Sequence, residues 1–150
     1  MRILGLDYGD RTVGVAVSDL FGWTAQGLEV IKRNSPNEHK QSLGRLAEII
    51  KEYEVEKIVL GYPRNMDGSE GERCEKTMAY KQRLEKRFGG IPVELWDERL
   101  STVAAQRFLH EADFDIKKSR GFIDKMAAVY ILQGYLDYIR IKEKKTDESN

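Results

Sequence analysis

Three acidic residues in separate segments are the side chains of this chain best suited to chemistry. Asp7 ends the apolar run 3–6, and Glu98 follows the apolar run 91–95 by three residues. Asp124 lies in the apolar, helix-like stretch 122–138. A carboxylate at the end of a buried strand is costly unless it meets a cation, a metal or hydrogen-bond donors. Gathered at one place, these three carboxylates would form a site for a divalent metal ion.

Carboxylate oxygens are hard ligands and suit Mg²⁺ or Mn²⁺, whereas a cluster without cysteine or paired histidines is poor for zinc. Two such ions can activate a water molecule and stabilise the leaving oxygen of a phosphoryl displacement. Phosphodiester hydrolysis is the reaction that this arrangement best serves. Because Asp97 and Glu98 are adjacent, we expect Glu98 to face the metal and Asp97 to pair with Arg99.

The candidates for contacts with a nucleic-acid backbone are basic or hydroxyl side chains. They are Arg64, Arg73, Arg99, Thr102, Lys117, Lys118, Arg120 and Lys125. Arg99 is open to two readings, a phosphate contact or a structural partner of Asp97. The loop 62–73 contains a proline, an asparagine and glycines, which predicts a mobile clamp that orders when nucleic acid binds.

Composition limits the classes of protein to consider. At 150 residues the chain is most simply one domain, and its 25 basic and 25 acidic side chains give a net charge of zero. This argues against coating nucleic acid by bulk charge, although a local basic face is possible around 117–125. The single cysteine, Cys74, excludes an internal disulfide and fits a reducing compartment. No segment has the roughly 18 apolar residues of a membrane span, so we expect a cytoplasmic protein with no membrane partner.

Hydrophobic periodicity predicts five strands and four helices. The predicted strands cover 2–7, 12–19, 24–33, 57–61 and 91–96, and the predicted helices cover about 43–53, 72–88, 102–110 and 122–141. This order predicts an α/β, ribonuclease H-like fold, with a five-stranded mixed sheet of strand order 3-2-1-4-5 flanked by helices. We expect one domain over 1–141 and a polar, disordered tail over 142–150. We also expect His39 to be solvated and Trp23 to lie in the core.

In such a sheet the first strand is central, so Asp7 would emerge where open α/β sheets bind ligands. Glu98 would leave the fifth strand at that same end. The small residues Ala127 and Ala128 follow Asp124 and would let the last helix approach the sheet closely.

Four ordered sets of motifs resemble those of the YqgF family over nearly the whole chain. They are Gly5–Gly9 with Gly14–Asp19, Leu60–Pro63 with Asn65–Gly68, Asp97–Thr102 with Ala105, and Ile123–Ala128 with Ile131–Gln133. That family contains bacterial ribonuclease H-like nucleases, described as Holliday junction resolvases and as nucleases that mature the end of pre-16S ribosomal RNA. The resemblance implies metal-binding roles for Asp7, Glu98 and Asp124. The better-understood junction resolvases have their second acidic ligand on the fourth strand, where this chain has Gly61, Tyr62 and Pro63. The substitute ligand must therefore come from Asp97 or Glu98.

The sequence therefore predicts a metal-dependent nuclease acting on structured nucleic acid, in pre-16S rRNA processing or Holliday junction resolution. Two alternatives belong to other classes: a non-catalytic nucleic-acid-binding module that keeps the nuclease fold, and an actin-like ATPase fragment. The second needs two lobes, for which 150 residues leave no room. The choice between RNA and branched DNA, and between a monomer and a weak homodimer, stays open.

Overall fold

A computed structural model describes residues 1–100 and 116–149, with side chains over 1–100 and 126–145. The elements are β1 (Arg2–Tyr8), β2 (Thr12–Ser18), β3 (Ala25–Lys32), α1 (Lys40–Tyr53), β4 (Val55–Tyr62), α2 (Glu72–Arg87), β5 (Val93–Asp97) and α3 (Ile116–Ser149). A short 3₁₀ turn, Glu98–Leu100, follows β5. The helix predicted over 102–110 lies outside the described residues.

The five strands form one sheet in the order β3-β2-β1-β4-β5. β2 pairs antiparallel with β1 and β3, whereas β4 pairs parallel with β1 and β5. This confirms the predicted fold class. β1 and β2 are almost continuously apolar because both faces of the central sheet are covered.

Two apolar cores lie on opposite faces of the sheet. Leu4 and Leu6 of β1 belong to the core that α1 and α2 cover. Ile3 belongs to the core that α3 covers. Since successive strand residues point to opposite faces, Asp7 falls on the α3 face and Tyr8 falls on the α1/α2 face.

Helix α3 begins six residues before the predicted start at 122 and continues through the segment predicted to be a disordered tail. Residues 141–145 are exposed, so packing against the sheet does not account for this extension. Lysine and glutamate are good helix formers, which explains how the helix continues without a core contact. Where the independently folding domain ends stays a prediction.

Trp23 lies in the β2–β3 loop and, contrary to expectation, is not part of the core. The Trp23 side chain is 59% exposed, and not buried as the sequence suggested. The Asp19 carboxylate fixes this loop by accepting hydrogen bonds from the backbone N–H groups of Phe21, Trp23 and Thr24 at 2.9–3.1 Å. These bonds hold the pKa of Asp19 down, at about 2. Loop geometry therefore outweighs the apolar character of the indole ring.

Among the helices described, none combines the length and apolar character needed to span a bilayer.

Candidate functional site

Asp7 and Glu98 are both buried charged residues at the carboxyl ends of strands. Asp7 is the next-to-last residue of β1, and its exposed fraction is 4%. Glu98 begins the turn directly after β5 and is 6% exposed. Parallel strands β1, β4 and β5 all end at this edge, as predicted for an open α/β sheet.

Gly61 on β4 places the two acidic residues on the same face of the sheet. The β1–β4 register pairs Leu6 with Leu60, so the next residues, Asp7 and Gly61, are neighbours on strands roughly 4.8 Å apart. A Cβ atom placed on Gly61 would lie 2.8 Å from Glu98 Oε1 and 2.5 Å from Ile131 Cδ1 of α3. The Glu98 carboxylate therefore lies over the β4 backbone, on the α3 face that Asp7 also occupies.

This arrangement gives a physical reason for the departure at Gly61. Glu98 Oε1 lies in the space that a β4 side chain at position 61 would occupy. An acidic residue on β4 and the Glu98 carboxylate would compete for one volume. The glycine therefore leaves room for the Glu98 carboxylate, and the role of Glu98 as a metal ligand stays a prediction.

The donor set fits a hard divalent cation, because two buried carboxylates share one face and gather like charge. A nearby cation would offset both their desolvation and their mutual repulsion. Within the part of the chain whose side chains are described, no group of three potential ligands is close enough to hold an ion. Asp124 lies within α3, but its side chain falls outside the described set, so the three-residue site stays a prediction.

Asp97 is directed to Arg99 instead. Arg99 Nε lies 3.1 Å from both Asp97 carboxylate oxygens, Nη2 donates to Oδ2 at 2.7 Å, and the Arg99 backbone N–H donates to Oδ1 at 2.9 Å. These hydrogen bonds lower the pKa of Asp97, against a smaller opposing effect of burial. The geometry thus assigns the adjacent acidic residues different surroundings: Asp97 pairs with Arg99, and Glu98 lies against Gly61.

The loop after β4 carries Arg64 and packs beside Arg99. Arg64 pairs with Glu70 at 3.4 Å. Backbone and side-chain hydrogen bonds between Asn65 and Ser69, at 3.0 and 2.9 Å, close the loop on itself. A Cβ atom on Gly68 would lie 3.3 Å from Arg99 Nη1, so the Arg99 guanidinium lies next to the loop. These bonds give the loop a defined conformation without substrate, and its ordering on binding stays a prediction.

The structure describes the side chains of only some of the other residues predicted to contact phosphate. Arg73 is exposed in the first turn of α2. Thr102 lies outside the described residues. Lys117, Lys118, Arg120 and Lys125 lie within α3, and their side chains are outside the described set. Their roles therefore stay predictions.

The strand order and the buried carboxylates at the carboxyl ends of β1 and β5 define a ribonuclease H-like protein. The chain belongs to the family described as RuvX, Holliday junction resolvase, whose model matches residues 1–138. This confirms the resemblance seen in the motifs.

Close relatives cover almost the whole chain. A protein of Desulfitobacterium hafniense is 55% identical over 148 residues, which are 99% of this chain and 100% of the relative. A Bacillus subtilis protein is 55% identical over 91% of this chain and 98% of its own length. Both carry the name "Putative pre-16S rRNA nuclease". Family and relatives together identify the chain as a nuclease, that is, a hydrolase acting on nucleic acid.

Solved structures support the fold independently. RuvC of T. thermophilus in complex with a Holliday junction substrate matches with a TM-score of 0.59 at 18% identity, covering 95% of this chain and 96% of that one. The Thermus thermophilus RuvC structure gives a TM-score of 0.58 at 19% identity, with 95% and 97% coverage. At this identity the likeness establishes the architecture and not the substrate.

Proposed function

We propose that this nuclease hydrolyses phosphodiester bonds with Mg²⁺ or Mn²⁺ held by Asp7, Glu98 and Asp124, and that its substrate is the precursor of 16S ribosomal RNA. The observation that carries the proposal is the burial of Asp7 and Glu98 on one face of the sheet, with the Glu98 carboxylate over Gly61 and Asp7 on the neighbouring strand. The names of relatives at 55% identity support the RNA substrate.

A bound divalent ion would supply an activated water molecule and charge stabilisation of the leaving oxygen. The chain's own contribution is to place hard oxygen ligands in a buried position. Burial of Asp7 and Glu98 lowers the local dielectric response and strengthens their attraction for a cation. Gly61 contributes by leaving room for the Glu98 carboxylate.

Positive charge around this centre suits a polyanionic substrate. Arg99 is held rigidly by Asp97, and its guanidinium also lies beside Gly68 of the loop. Arg64 on that loop and Arg73 at the start of α2 add two exposed cations. We propose that these arginines contact phosphates of the strand being cut, so Arg99 serves both as a partner of Asp97 and as a phosphate ligand.

The second candidate substrate is a four-way DNA junction, which the family description favours. Symmetric cleavage of a junction needs two catalytic centres related by a two-fold axis, and hence a dimer. Trimming of an RNA end needs only one centre. The substrate and the oligomeric state are therefore linked.

The experiment is a cleavage assay on sequence-matched RNA and DNA, with a four-way junction included, in Mg²⁺, Mn²⁺ or chelator. Asp7→Asn is compared with Asp137→Asn, which alters a surface carboxylate on α3 that is 47% exposed. We expect metal-dependent cleavage of RNA by the wild type and by Asp137→Asn, and none by Asp7→Asn. Cleavage by Asp7→Asn at the wild-type rate, or cleavage in chelator, would refute the metal-site proposal. Tight RNA binding by a protein that cuts none of the substrates would favour the non-catalytic module.

A further inference from the structure

A second feature lies at the same edge of the sheet but on the opposite face. A cavity of about 210 Å³ opens between Tyr8 of β1, the segment 36–39 before α1, and Lys76, Tyr80 and Arg83 of α2. Tyr8 directly follows Asp7 in β1, and their side chains point to opposite faces. A chain of nucleotides leaving the carboxylates around this edge would reach the cavity.

A buried cation, Arg33, lies behind the Tyr8 ring that lines the cavity. Arg33 is 4% exposed, and its guanidinium contacts the Tyr8 ring with Cζ 4.7 Å from the centroid. It donates to the carbonyl oxygens of Asp10 and Pro36 at 2.7 and 2.9 Å, and to that of Gly9. Among described residues no carboxylate lies within ion-pair distance of Arg33, and its Nε is buried without a hydrogen-bond partner. The Arg33 charge is therefore held by carbonyl oxygens behind the Tyr8 side of the cavity.

His39 was expected to be solvated, but its side chain is partly buried. Its ring stacks at 6.3 Å from Tyr8 and lies 5.8 Å from Tyr80. His39 Nδ1 is buried and has no hydrogen-bond partner among described residues. Burial lowers the pKa of His39, and nearby Arg83 and Arg33 lower it further against a small opposing effect of Glu38. His39 therefore lines the cavity as a partly buried ring packed between two tyrosines.

Two more cations stand at the rim. Lys76 Nζ lies 3.3 Å from Asp10 Oδ1 and 3.5 Å from Glu72 Oε1, both on exposed side chains. Arg83 makes no ion pair with the described part of the chain. Among the lining residues that the structure describes, the cations Lys76 and Arg83 outnumber the single carboxylate, Asp10, whose side chain is 69% exposed.

We propose that this cavity binds a phosphate group of the substrate strand and anchors the strand that passes the Asp7 and Glu98 carboxylates. The proposal rests on the proposed nuclease function. Lys76 and Arg83 would donate charge-assisted hydrogen bonds to the phosphate oxygens, and His39 would lie beside the bound group. The Tyr8 ring already contacts Arg33 and stacks on Tyr80 at 4.2 Å, so the cavity suits a phosphate better than a base.

The test measures nucleic-acid affinity in chelator, so that cleavage plays no part. Lys76→Ala/Arg83→Ala is compared with Lys86→Ala/Arg87→Ala, which removes the same charge from the same helix away from the cavity. We expect the first variant to bind about tenfold more weakly, with a log–log salt slope shallower by roughly 0.7–0.9 for one lost phosphate contact. Equal weakening of both variants, with melting temperatures showing both to be folded, would overturn the proposal.

Asp10→Asn should strengthen nucleic-acid binding, which is the opposite of the effect expected for Lys76→Ala/Arg83→Ala. It removes the carboxylate that competes with phosphate for Lys76, so we expect tighter binding than in the control Glu75→Gln on the exposed side of α2. Equal affinities of these two variants would contradict a phosphate at Lys76.

A further experiment distinguishes a phosphate group of the nucleic-acid strand from free phosphate as the ligand of the cavity. Histidine ring resonances are followed by NMR while inorganic phosphate, a mononucleotide or the nucleic acid is added. We expect the His39 signal to move with the nucleic acid, and to respond to free phosphate only at far higher concentration. A mononucleotide that binds more tightly than the strand would overturn the anchor and assign the cavity to free nucleotides. These outcomes are read without cleavage, so they remain distinct from failure of the metal-site proposal.

Discussion

Gly61 is the residue whose role depends most on the three-dimensional structure. The sequence identified Asp7 and Glu98 as acidic residues at strand ends, because each follows an apolar run. It also showed that β4 has a glycine where an acidic ligand was expected, so that the substitute must come from Asp97 or Glu98, but it did not show that the Glu98 carboxylate lies against Gly61. A glycine inside an apolar strand is a known signal of close approach, and here the approaching group is the Glu98 carboxylate.

Two glycine substitutions separate packing from chemistry. In Gly5→Ala the new Cβ would lie 2.6 Å from Leu132 Cβ and 3.2 Å from the Ala128 carbonyl oxygen, groups that cannot move easily. We expect it to lower the free energy of unfolding by about 1–3 kcal/mol while the folded protein keeps its cleavage rate. Gly61→Ala meets the mobile ends of Glu98 and Ile131 instead, so it should destabilise less but lose cleavage.

Urea unfolding and cleavage assays on the same preparations check this contrast. Gly44→Ala is the control, because nothing lies within 4 Å of its new Cβ and alanine favours the helix by roughly 0.5–1 kcal/mol. Wild-type cleavage by Gly61→Ala would show that the position of Glu98 does not matter.

The Asp97–Arg99 pair predicts a pH-dependent contribution to stability. Its hydrogen bonds lower the pKa of Asp97 in the folded state, so the unfolded chain takes up the proton at higher pH. The stabilisation is therefore present above the unfolded pKa of about 3.9 and is lost as pH falls through the lower, folded value. Melting temperatures of the wild type and Asp97→Asn should differ at pH 7 and converge in acid. A difference that stays constant down to pH 3 would contradict this role.

At the scale of elements, the sequence predicted the strands well because each has a clear apolar pattern and a turn at its end. β1 and β2 are joined by a short polar turn, and β4 contains the apolar run Ile58–Leu60. Features that depend on contacts between elements were not predictable. Trp23 is exposed because Asp19 fixes its loop, and His39 is partly buried because Tyr8 and Tyr80 converge on it.

The end of α3 gives a test of the predicted domain boundary. Residues 141–145 are exposed, so deletion of 142–150 should change the melting temperature by no more than about 2 °C. Leu136→Ala on the same helix is the positive control, since Leu136 is 2% exposed and its truncation should cost about 2–5 kcal/mol. Thermal unfolding followed by circular dichroism distinguishes them. A deletion as damaging as Leu136→Ala would place the end of the domain beyond 141.

At the scale of the whole molecule, a net charge of zero means that affinity for a polyanion must come from local clusters of cations. The structure provides two such places at one edge of the sheet. Arg64 and Arg99 lie near Asp97, the residue before Glu98, and the cavity lined by Lys76 and Arg83 lies on the opposite face. A substrate that passes around this edge would contact both.

Calorimetric titration with Mn²⁺, without nucleic acid, is the most direct test that buried carboxylates on one face of the sheet form the metal centre. The proteins compared are the wild type, Asp7→Asn, Glu98→Gln and Asp97→Asn, the last serving as the matched control because its carboxylate is engaged by Arg99. We predict that the wild type and Asp97→Asn bind Mn²⁺ with similar affinity, and that Asp7→Asn and Glu98→Gln bind at least tenfold more weakly. Undiminished Mn²⁺ affinity in Asp7→Asn, or equal losses in Asp97→Asn and Glu98→Gln, would contradict the account.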